Sequence, residues 1–164
     1  MVTGRWKWFF LLLAMTGIVA ALLPVIFSRE RQLTGDELRR AQAVWATRGP
    51  GDYTLLVRWK KQELSKEGGR PAPVVMRLKL RFRDSRLVEA SRDGNFIPVD
   101  QFSDWGAEGV FGKLQGFLDR VKPKDYLVVD FAPTDGHPRH WVLVTRGGPD
   151  SCREEVDLVL TPTR

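Results

Sequence analysis

The chain has 164 residues, 43% hydrophobic and 28% charged, a balance that excludes an intrinsically disordered or collagen-like protein. Its 26 Lys and Arg against 20 Asp and Glu give a formal net charge of +6. Setting aside Arg5 and Lys7, which precede an apolar run, leaves 24 basic residues against the same 20 acids, too even a mixture to make nucleic acid the expected partner.

That run, "FFLLLAMTGIVAALLPVIF" from Phe9 to Phe27, carries no charge. As a helix its nineteen residues would extend roughly 28 Å, close to the thickness of a bilayer core. Trp6 and Trp8 stand at the interfacial position before it, and Arg29 and Arg31 follow. We expect a short flank over 1–8, a transmembrane signal-anchor over 9–27 and a linker over 28–33. A cleaved signal peptide is the competing reading. Such peptides have a shorter apolar core, about 7–15 residues, and a small-x-small cleavage site, whereas this run ends in the bulky "LLPVIFSRE". Pro24 falls near the end of the span, where a missing N–H is tolerated. Basic residues on both sides, including Arg39 and Arg40, leave the positive-inside rule undecided.

Residues 34–161 read as one α+β domain with a short tail, 162–164. Thr34 followed by Glu37 has the spacing of a capping box, and Leu38, Ala41, Val44 and Trp45 recur at helical intervals until Gly49–Pro50. In "DYTLLVRWKK", Tyr53, Leu55, Val57 and Trp59 alternate with Thr54, Leu56, Arg58 and Lys60, which predicts a strand. "QELSKEGGRPAP" is expected to be an irregular connector. "VVMRLKLRFR" alternates again, with Arg77, Lys79, Arg81 and Arg83 on one side, and Asp84–Ser85 and Asp93–Gly94 bracket a third strand, "RLVEAS". The second half repeats this order. "GVFGKLQGFLDRV" sets Val110, Phe111, Leu114, Phe117, Leu118 and Val121 on one helical face, and "DYLVVDF", "RHWVLVT" and "EEVDLVL" read as strands. The expected architecture is α-β-β-β-α-β-β-β, an antiparallel sheet with two helices on one face.

Residues able to do chemistry are few. His137 and His140, with Asp135 or Asp130, are the candidate metal ligands, but a zinc site needs three or four converging donors, and neither HExxH nor paired cysteines occur. Cys152, the single cysteine, permits no intramolecular disulfide and leaves the redox compartment open. With either histidine it could form a nucleophilic dyad, yet it stands in the polar turn "GGPDSCREE", where an exposed thiol is expected. No Gly-rich phosphate loop opens a helix, so neither an enzyme nor a resident cofactor is expected. The most distinctive surface feature is basic. Paired as a hairpin, the first two strands would bring Arg58 and Lys60 beside Arg77, Lys79, Arg81 and Arg83 on the outer face. Like charges so close either form a solvated face that resists edge aggregation or await an acidic partner: anionic lipid, an envelope polymer or an acidic protein.

The helix with Trp45 leading to "GDYTLLV", the unit "VVMRLKLRFRDSRLVEA", the helix "VFGKLQGFLDRV", and "VVDFAPTDGHPRHWVLV" before "EEVDLVL" together resemble the DUF6174 family of bacterial exported and membrane-anchored domains. The resemblance spans about 130 residues through short motifs. In it His137 stands where an aromatic residue is usual, and Arg58, Trp59 and Lys60 stand where some members carry cysteines. It implies a small α+β domain, similar to PepSY-like or cystatin-like modules, on the extracytoplasmic side of the membrane, and no catalytic residues. The expectation is therefore a membrane-anchored, non-catalytic cell-envelope domain that binds a protein, lipid or anionic polymer. The alternatives are a metal-dependent or cysteine hydrolase using His137 and His140, and, by architecture alone, a peptidase-inhibitor-like module.

Overall fold

The computed structural model describes residues 32–64, 71–147 and 151–163, and the stretch from Leu33 onward forms one compact unit. The expected anchor over 9–27 and its flank lie outside the described residues. Among the described residues no helix is long and apolar enough to cross a membrane.

Helix α1 (Gly35–Arg48) begins at the capping box read from the sequence: the Thr34 hydroxyl accepts the Glu37 N–H, and the Glu37 carboxylate accepts the Thr34 N–H. Leu38 and Ala41 are buried, and Trp45 packs at the margin of the core. Strands β1 (Tyr53–Glu63), β2 (Val74–Arg83), β3 (Arg86–Arg92) and the two-residue β4 (Asn95–Phe96) form an antiparallel meander. Asp84, Ser85, Asp93 and Gly94 all take positive φ, as tight two-residue hairpin turns require. A 3-10 segment, Val99–Trp105, leads to α2 (Ala107–Leu118), followed by β5 (Tyr126–Phe131), β6 (Pro138–Val144) and β7 (Cys152–Pro162).

The expected order is thus corrected by one short strand and one 3-10 segment between β3 and α2. Both are too short to carry a periodic signal. The sequence boundaries shift as well. Gln62 and Glu63 belong to β1 rather than to the connector, because they pair with Arg153 and Cys152 of β7. Helix α2 starts at Ala107, two residues before the expected Gly109, and stops at Leu118; Val121 still packs against the core beyond its end.

All seven strands share one antiparallel sheet in the order β4-β3-β2-β1-β7-β6-β5. The two halves meet along β1 and β7, whose eleven registered pairs, Tyr53↔Pro162 to Glu63↔Cys152, form the seam. β4 and β5 lie at opposite edges, so the chain between them crosses the inner face, and α2 lies on that path. Seven strands about 4.8 Å apart span roughly 29 Å, whereas a twelve-residue helix covers about 18 Å; the 3-10 segment supplies part of the remainder.

The core lies between this inner face and the helices. Leu55 and Val57 of β1, Leu78 and Leu80 of β2, and Val156 and Leu158 of β7 meet Leu38 of α1 and Val110, Phe111 and Leu114 of α2. The Tyr53 ring stacks on Phe82 at 4.7 Å and meets Trp45 edge-on at 5.7 Å. Its hydroxyl accepts the Ala107 N–H at 3.2 Å, satisfying one of the free donors at the start of α2. Burial pushes the Tyr53 hydroxyl above the ordinary tyrosine pKa, against the opposing pull of that hydrogen bond. Trp105 stacks on the buried Trp141, and Lys113 lies 4.0 Å above the Trp105 ring while pairing with Asp104 at 2.8 Å.

Candidate functional site on the open sheet face

Both helices cover one face of the sheet, so the chemistry-bearing residues separate according to the face they occupy. His137, 9% exposed, lies on the helix side: its ring meets Trp45 edge-on at 6.5 Å, and Nδ1 sits 2.6 Å from Asp135 Oδ1. Asp135 also accepts the His137 N–H, while Ala132 and Gly136 close the turn by backbone bonds. Three residues on, His140 lies on the open face, with Nδ1 2.8 Å from Asp157 Oδ1. The two histidines therefore occupy opposite faces and share no partner. Cys152 corrects another expectation. It is half-buried at the start of β7, its N–H bonded to Thr145 Oγ1, rather than exposed in the turn. Since Cys152 adjoins Thr145, it lies about five residues, or roughly 16 Å, along the strand from His140. Among the described residues no three His, Cys, Asp or Glu side chains gather as metal ligands.

The basic residues gather only in part. β1 and β2 pair as the sequence suggested, with Arg58 directly opposite Arg77 and Leu56 opposite Lys79. These four residues line a groove of about 610 Å³ on the open face, together with Val159 and Asp157 of β7. The Asp93–Gly94 turn closes one end, held to β2 by the Asp93 N–H on Arg77 O at 3.0 Å. Lys60, Arg81 and Arg83 lie outside this groove. Lys60 faces Val75 and Glu155, Arg81 lies 3.9 Å from Glu89, and Arg83 stands at the β2–β3 turn opposite Arg86.

Two features of the groove were not drawn from the sequence. The first is acidic. Because β7 inserts beside β1, Asp157 and Glu155 are registered opposite Arg58 and Lys60. Asp157 Oδ1 is bonded to His140, and among the described residues Arg58, Arg77 and Lys79 form no ion pair. The second is apolar. Leu56 and Val159, partners across the seam, are 45% and 57% exposed and form a floor beside the three cations. Both occupy the outward phase of otherwise polar strands, and that break in alternation is the sequence signal that could have revealed them. The same row continues through Lys79 and Ser91 to Phe96, 80% exposed. Elsewhere on the open face, Val142 and Val144 of β6 are nearly buried between their neighbours.

Three unpaired cations beside an exposed apolar strip can hold an anion that carries a nonpolar part. Among the described residues the open face presents no cysteine beside a histidine. No family model matches the chain, and no curated protein matches it.

Proposed function

We propose that this chain is a membrane-anchored, non-catalytic envelope protein whose α+β domain binds an anionic partner through the open face of its sheet. The observation that carries the reading is the groove in which Arg58, Arg77 and Lys79 form no ion pair, while Arg81 and Arg139 on the same sheet do. Adjacent like charges on paired strands oppose folding, and a bound anion turns that repulsion into attraction. The apolar run Phe9–Phe27, with Trp6 and Trp8 before it, supports the tether. The hydrolase alternative draws no support from residues on opposite faces of the sheet.

The test is binding of the full-length protein, held in phosphatidylcholine nanodiscs, to anionic vesicles and to polyglutamate. Retention should fall as salt shortens the screening length below about 8 Å, and it should fall again in the triple variant Arg58→Glu, Arg77→Glu, Lys79→Glu. Binding indifferent to both changes, or none to either probe, would overturn the reading.

A further inference from the structure

Resting on that reading, we infer that the groove is a site for one acidic phospholipid, its headgroup phosphate held between Arg58 and Arg77 and its hydrocarbon arm laid over Leu56 and Val159. Arg58 and Arg77 are registered partners on antiparallel strands, so their Cα atoms stand roughly 5 Å apart and both side chains rise from the same face. Two guanidinium groups at that spacing can clamp one phosphate from two sides, each offering paired N–H donors to its oxygens. Lys79 adds a third charge from the next position along β2 on that face. The acid registered opposite Arg58, Asp157, turns its Oδ1 to His140 Nδ1 at 2.8 Å and forms no ion pair with either arginine.

The hydrocarbon half follows from the spacing along β1. Leu56 lies two residues from Arg58 on the same face, about 7 Å away, and meets Val159 across the seam. A ligand anchored at the arginines therefore reaches exposed apolar surface within one side-chain step. The groove volume of about 610 Å³ falls within the range of small-ligand sites, roughly 300–1,000 Å³. A polyanion fits this surface less well. Its track along β2 meets Arg81 already beside Glu89, and its track along β1 meets Lys60 opposite Glu155. An acidic peptide shares the charge but has no requirement for the apolar floor.

The experiment uses the full-length chain in phosphatidylcholine nanodiscs containing a phosphatidylglycerol with a photoactivatable acyl chain, and the adducts are mapped by peptide. Adducts at Leu56 and Val159 are expected, reduced on the order of tenfold in Arg58→Gln/Arg77→Gln and unchanged in Arg81→Gln/Arg83→Gln, which removes equal charge outside the groove. A second variant, Leu56→Ser/Val159→Ser, should lose the lipid adducts while keeping polyglutamate binding; it touches no core residue, so the fold is retained. Equal losses in the two arginine pairs would replace the site with a diffuse basic face, overturning this inference while leaving the proposed function standing. Absence of groove adducts in the unaltered chain overturns the lipid site as well. Salt-sensitive polyglutamate binding by that same sample would show that the wider reading survives, and its loss would show that both have failed.

Discussion

Gly136 sits at φ +79°, and a Cβ placed on it would lie 2.5 Å from the Ala41 carbonyl oxygen of α1. The turn that carries His137 is thus pressed onto the helix at a point where only hydrogen fits. Gly136→Ala combines a left-handed backbone cost with a clash against main chain, and it should destabilise the domain by at least about 2 kcal/mol, read as a shift in the chemical-denaturation midpoint. The two histidines that follow should respond unequally. His137 is buried against Trp45 and bonded to Asp135, so His137→Ala should cost about 1–3 kcal/mol. His140 is half-exposed, and His140→Ala should stay within about 0.5 kcal/mol. Bound metal, measured on the same samples, should be unaffected by either change. Stoichiometric metal lost with both would restore the hydrolase reading.

The strands whose alternation is cleanest, β1 and β2, were legible in the sequence, and their pairing was expected, but the long irregular connector between them left the register open. The place of β7 was not. "EEVDLVL" announces a strand but nothing about its neighbour, and its pairing with β1 is a contact between the two ends of the domain. The candidate site depended on that one fact. Without β7 the cations of β1 and β2 have only Glu89 of β3 beside them; with it, Asp157 and Glu155 stand opposite Arg58 and Lys60, and Val159 joins Leu56 in a floor. The turn between α2 and β5 shows how such distant elements are held. Asp125 accepts the Arg146 N–H at 2.9 Å and the Lys122 N–H at 3.0 Å, joining the end of the helix region to the end of β6. The Arg146 N–H, then the Lys122 N–H, hold the Asp125 carboxyl below the usual aspartate range. A folded-state pKa below the unfolded value of about 3.9 means that the contribution is complete well above that pH and lost as pH falls through the folded value. Thermal stability of the native chain should therefore decline more steeply than that of Asp125→Asn below about pH 4. Parallel curves would assign no linkage to this carboxylate.

For the molecule as a whole, the proposed tether would decide what the open face can meet. The folded unit begins at Leu33, whose N–H bonds Leu127 O on the outer edge of β5, so the chain enters the domain already attached to the sheet. That single bond also covers part of an edge strand that would otherwise present free backbone groups to other chains. If Phe9–Phe27 spans a bilayer, only about seven residues separate it from α1, and fully extended they reach roughly 25 Å. The domain would then stay beside the lipid surface, where each basic residue contributes about 1 kcal/mol toward anionic headgroups. Full-length protein should accordingly remain with the membrane after alkaline carbonate extraction, and deletion of residues 9–27 should release it. A topology reporter fused after Arg164 should be active only on the extracytoplasmic side. Release of the intact chain by carbonate would remove the anchor. Reporter activity on the cytoplasmic side would keep the anchor but place the groove before the inner leaflet, where anionic lipid remains within its reach and the envelope location fails.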